Sequence, residues 1–124
     1  MEALVYGRLT GNSEVAALVG TRVYPLHLPQ APTYPAIAYS RISTVEAHTH
    51  DRAGGLSESR LQVDCLAANY AGARALAGAV RGALDGWVDR DNNIMACLLE
   101  NEFDLYDDLT ETFRVIIDFM LKWR

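Results

Sequence analysis

The chain has 124 residues, half of them hydrophobic and 22% charged, with 9 Gly and 4 Pro. That length predicts one domain over residues 1–124 with a core that needs no disulfide or metal staple, and the composition excludes a disordered, collagen-like or low-complexity chain. Net charge is −5, from 11 basic and 16 acidic residues, which argues against a general nucleic-acid binder.

In chain order, residues 2–10 read as a short helix ending at Gly11, with Leu4, Val5 and Leu9 on its apolar side. Asn12-Ser13 offers an N-cap for a second short helix through Leu18, stopped by Gly20. Arg22-Val23-Tyr24 reads as a brief strand, and residues 25–35 hold Pro25, Pro29, Pro32 and Pro35 in a stiff extended loop. A long strand follows over 36–47, with Ile37, Tyr39 and Val45 expected on one face. Its successor, 57–67, alternates Leu61, Val63 and Cys65 with Gln62 and Asp64, and residues 48–56 between them read as a long hairpin loop.

Asn69 opens a helix to about Leu84, with Ala73, Leu76, Ala77, Val80 and Leu84 on one face and Arg74, Arg81 and Asp85 facing away. Gly78 and Gly82 each cost that helix about 1 kcal/mol relative to Ala, which suggests a close neighbour there. Two strands end the chain, at about 94–105 and 112–123. The last has Phe113, Val115, Ile117, Phe119, Leu121 and Trp123 inward and Arg114, Ile116, Asp118, Met120, Lys122 and Arg124 outward. The order α-α-β-β-β-α-β-β predicts an α+β fold: a mainly antiparallel sheet with the long helix on one face. Leu66, Ile116 and Met120 make the second face too apolar for water, so either the N-terminal helices or another subunit is expected to cover it, and self-association is favoured.

Chemistry is sparse. His48-Thr49-His50-Asp51 is the one metal-like cluster, but no third nitrogen or sulfur ligand matches it; a polar hairpin tip is the expectation, with no metal and no cofactor. Six acids and no basic residue lie between Glu100 and Glu111, without the Asp-x-Asp-x-Asp-Gly pattern of a calcium loop, so a solvated turn between strands is expected. Nucleophile elbows, phosphate-cradling glycine loops and HExxH are missing, and Cys65 and Cys97 read as buried, inert thiols. Asp64 and Asp118 are expected to face solvent or to pair with Arg60 or Arg114. No catalytic site emerges. The acidic second residue in Met1-Glu2-Ala3-Leu4 argues against an export signal, and no apolar run approaches the ~18 residues of a membrane span.

The succession of segments resembles the tail-completion, or tail-terminator, proteins of long-tailed bacteriophages, prophages and gene transfer agents. The resemblance runs through Met1-Glu2-Ala3-Leu4, Ala17-Leu18-Val19-Gly20-Thr21-Arg22-Val23-Tyr24-Pro25 and Tyr34-Pro35-Ala36-Ile37-Ala38-Tyr39. It continues through Arg60-Leu61-Gln62-Val63-Asp64-Cys65, Asn69-Tyr70-Ala71, Asp104-Leu105-Tyr106-Asp107 and Phe113-Arg114-Val115. The resemblance implies a non-enzymatic virion protein at the head–tail junction, held in the bacterial cytoplasm before assembly. Such proteins close into a ring, commonly a hexamer, that caps the tail tube, ends its polymerisation and joins the head connector or stopper. DNA would pass through the ring without specific binding.

On that basis His48, His50, Asp51, Arg52 and Leu56 are the candidate loop for tube or neighbour contacts, and Glu102, Asp104, Asp107 and Asp108 the candidate channel or rim acids. Gly78, Gly82, Ile116 and Met120 are the candidate subunit interface. The alternatives are another connector or tube component of the same particle, or a small ligand-binding α+β domain, which requires a pocket with convergent polar groups.

Overall fold

The computed structural model describes residues 2–46 and 56–124. Its elements are α1 (Glu2–Gly11), α2 (Ser13–Val19), β1 (Val23–Pro25), β2 (Ala36–Val45), β3 (Ser57–Ala67), α3 (Tyr70–Leu84), a 3₁₀ turn (Arg90–Asn92), β4 (Ile94–Asp107) and β5 (Thr112–Trp123). The expected α+β order holds. The five strands form one sheet in the order β1-β2-β3-β5-β4, in which only the β1–β2 pair is parallel.

Local chemistry explains where the helices start and stop. Asn12 Oδ1 accepts from the N–H groups of Glu14 and Val15 at 3.0 and 3.1 Å, satisfying two donors that the first turn of α2 leaves open. Asn69 Oδ1 does the same for Gly72 N–H at the start of α3. Gly20, at φ 58°, ends α2 in a conformation that a side chain would strain.

One face of the sheet carries the core. Val115, Ile117, Phe119 and Leu121 of β5 are fully buried beside Leu61, Val63 and Cys65 of β3 and Ile37 of β2. Phe113 and Trp123, at the ends of β5, are only half-buried, although both were expected inside. From α3 the expected Ala73, Leu76, Ala77, Val80 and Leu84 enter this core, joined by Ala79 and Ala83. Val5 and Leu9 of α1 and Val15 and Val19 of α2 belong to the same cluster.

All three helices therefore share one layer, with α1 and α2 packed against α3. Arg8 of α1 ties the layer together: its Nε donates to the Ala83 carbonyl at 2.7 Å, and its guanidinium lies 5.7 Å from the Trp87 ring centre. The reason is reach. Helix α3 packs over β3, β4 and β5, which leaves the β1–β2 half for the short helices to cover.

Of three register shifts in the described sheet, one in β2 and one in the middle of β4 decide which way the residues beyond them face. The first, between Arg41 and Ser43, puts Val45 opposite Glu58 and out of phase with Ile37 and Tyr39. Val45 is thus 68% exposed on the opposite face, contrary to the alternation. The second, between Leu99 and Asn101, exchanges the two columns of β4. Cys97 and Leu99 face inward opposite Leu121 and Phe119, yet beyond the shift it is Glu102 and Asp104 that stand opposite Ile117 and Val115. Phe103 and Leu105 turn outward instead, opposite Ile116 and Arg114.

Candidate assembly surfaces

Among the described residues, no helix lies over the outer face of the sheet. Its rows cross the strands: Tyr24, Ala38, Asp64, Ile116 and Phe103 make one, and Ala36, Leu66, Arg114 and Leu105 the next. On the other side lie Ser40, Gln62, Asp118 and Asn101, then Arg60, Met120 and Leu98. Ile116, Leu66 and Ala38 are buried, while Leu98, Phe103 and Leu105 stand 49%, 38% and 46% exposed. Met120 is half-buried.

Polar pairs interrupt this apolar ground. Arg114 Nε donates to both Asp64 oxygens at 3.1 and 3.3 Å and its Nη2 to Oδ2, a forked ion pair that raises the guanidinium's pKa. Gln62 Nε2 donates to Asp118 Oδ1 at 3.1 Å, which satisfies a carboxylate only 8% exposed. Lys122 pairs with Glu58 at 3.8 Å and Arg60 with Glu100 at 3.5 Å. Asp64 thus has Arg114 as partner, one of its two expected cations, and Asp118 has neither.

The acidic window splits in two. Glu102 and Asp104 point to the helix side, where Arg74 Nη1 donates to Glu102 Oε2 at 3.0 Å and to Asp104 Oδ1 at 3.3 Å. Arg81 stands 3.8 Å from Glu102 Oε1, a buried oxygen that accepts no hydrogen bond. Tyr70 donates its hydroxyl to Asp104 Oδ2 at 2.7 Å, and that bond raises the phenol's pKa. The arginines expected to face away from the core do so, yet they neutralise half of the candidate acids. Asp107 and Asp108 lie at the β4–β5 turn, where Asp107 Oδ1 accepts from Leu109 N–H at 3.0 Å and Thr110 N–H at 3.4 Å.

Gly78 and Gly82 sit on the exposed side of α3, and a Cβ at either position would meet nothing within 4 Å. Among the described residues nothing packs closely there. His48, His50, Asp51 and Arg52 lie outside the described residues, so the arrangement of that loop is not part of the geometry; Leu56, at its end, is 37% exposed.

Among the described residues no group of three His, Cys, Asp or Glu is placed to hold a metal, and no helix is long and apolar enough to cross a membrane. Both thiols are buried, which pushes Cys97 up to about 12 and Cys65 further still, away from the reactive thiolate. The sequence had not singled out Tyr24, Phe103, Leu105 and Leu98 as surface, or Tyr70, Arg74 and Arg81 as partners of the acids. The register shift in β4 hid Phe103, Leu105 and the partners of the acids, and periodicity alone does not locate such a shift.

The family model described as tail completion protein gp17 matches residues 3–122. No curated protein matches the chain. Among solved structures, a chain from the virion of a native gene transfer agent particle is similar: 25% identical, TM-score 0.74, with 99% of this chain and 93% of that chain covered.

Proposed function

The chain belongs to the tail completion protein gp17 family, and on that premise we propose that it is a structural virion protein of the head–tail junction. Copies close into a ring, a hexamer by the family resemblance, that caps the tail tube, ends its polymerisation and presents the surface joined by the head connector. The observation that carries this is the sheet face that no described helix covers, on which Leu98, Phe103 and Leu105 stand exposed. A second support is the similarity to a chain of a gene transfer agent virion.

The role is architectural, not catalytic: the thiols are buried with raised pKa values, and Glu102 and Asp104 are engaged by arginines. Ile116 and Met120 contribute to the subunit contact from the sheet face, and Gly78 and Gly82 from the helix layer, where bare backbone admits a close approach. Among the candidate channel or rim acids, Arg74 and Arg81 offset Glu102 and Asp104, which leaves Asp107 and Asp108 to carry negative charge at the rim. The loop 48–56 reaches the tube or the next copy.

Electron microscopy of particles made without this protein tests the role. Overlong tails detached from filled heads are expected; tails of normal length joined to heads would refute it. Deleting residues 50–55 is expected to leave the fold intact and abolish capping, read from the same images.

A further inference from the structure

Leu109 is the most exposed large hydrophobic residue among those described, at 96%. It is not a loose side chain on a floppy turn. Asp107 Oδ1 ties down the N–H groups of Leu109 and Thr110, and the hydroxyls of Thr110 and Thr112 bond at 2.7 Å. The turn thus presents a fixed apolar knob, with Asp107, Asp108 and Glu111 as its acidic neighbours along the chain.

At the opposite edge of the sheet is a hole of matching kind. Pro25, Leu26, Tyr39, Ser40, Arg41 and Glu2 line a mostly apolar pocket of about 260 Å³. Leu26 is held at φ 68°, its N–H donating to the Tyr39 carbonyl at 2.8 Å, and its side chain is 73% exposed. Arg41 contributes the positive charge of the pocket and makes a single loose contact, 3.6 Å, with Glu2.

We infer that the Leu109 knob of one copy seats in the Pro25–Leu26–Tyr39 pocket of the next, with Arg41 facing the acids around the knob. This contact rests on the ring proposed above and names its interlock. One copy cannot fill its own pocket: knob and hole lie toward opposite ends of a five-strand order, at least about 14 Å apart at the usual strand spacing. Two different patches at opposite edges form the head-to-tail contact from which rings close. Size agrees, since an isobutyl group meets an apolar wall, and the knob's carboxylates meet the Arg41 guanidinium, which they share with Glu2 on the pocket's own wall.

Cysteines at the two exposed positions test this, because native Cys65 and Cys97 are buried and will not compete. Under mild oxidation the double variant Leu26→Cys/Leu109→Cys is expected to give a ladder of linked copies ending in a closed species, and each single variant none. Leu109→Asp is expected to weaken self-association roughly tenfold or more in concentration-dependent light scattering, with an unchanged melting curve. Asp108→Arg should weaken it less, and Arg41→Asp in the same chain should restore part of the loss. If wild type associates but the double variant forms no ladder and Leu109→Asp associates equally well, the interlock is wrong and the ring stands. If wild type stays monomeric at every concentration and no ladder forms, both fall.

Discussion

The two faces of the sheet are built from the same five strands and end differently. The inner face is closed by three helices, and its β5 residues Val115, Ile117, Phe119 and Leu121 have no exposure at all. The outer face also buries Ile116, Leu66 and Ala38, to between 5% and 8% exposure, yet no described helix closes it. A buried residue is therefore not the same as a buried face. On the inner side, burial comes from a second layer; on the outer side, Ile116, Leu66 and Ala38 are buried with no second layer among the described residues.

The contrast can be broken by mutation. Phe119→Ala on the inner face is expected to cost about 3–5 kcal/mol in a denaturant titration, through lost transfer energy and a cavity that α3 cannot collapse to fill. If it costs no more than Leu98→Ala on the outer face, the contrast fails. Next in size is alkaline pH. Cys65 and Cys97 stay protonated when folded but ionise near 9.0 when unfolded, so the unfolded chain binds fewer protons and stability falls as pH rises. The contribution is full below pH 9.0 and is lost progressively toward about 12, which chemical unfolding of wild type against a Cys65→Ala/Cys97→Ala variant would measure.

Asp64→Ala on the outer face is expected to cost about 1–3 kcal/mol, because it leaves the half-buried Arg114 guanidinium without its fork. Removing both charges, as Asp64→Ala/Arg114→Leu, should recover part of that loss. Gly78→Ala is expected to gain about 1 kcal/mol for the isolated protomer, since the new Cβ meets nothing in it and helix propensity improves. A simultaneous drop in ring assembly would show that a neighbour approaches there; unchanged assembly would place the contact elsewhere. Smallest is Leu98→Ala, within about 0.5 kcal/mol in protomer stability, with its effect visible in self-association instead.

Much of this was legible in the chain. The strand 113–123 announces itself through six apolar residues in phase, and Asn12, Gly20 and Asn69 mark helix ends by capping chemistry. The α+β class followed from element order. What periodicity could not supply was phase after an irregularity. Val45 and the pair Glu102–Asp104 change sides because one extra residue in β2 and one in β4 break the alternation. The placement of α1 and α2 was also out of reach, since both faces offered apolar partners and only the reach of α3 along the sheet decided between them. The ion pairs between α3 and β4 depend on that same shift and share its invisibility.

The outer face, finally, is striped rather than uniformly oily. Arg114–Asp64 bridges its two most apolar rows, and Gln62–Asp118 and Lys122–Glu58 form rows of their own, so a visitor that simply flattens grease against it strands several charges away from water. Only a counterpart ruled with the same spacing can lie down without that penalty. The pattern therefore favours a counterpart of matching polarity over indiscriminate apolar contact.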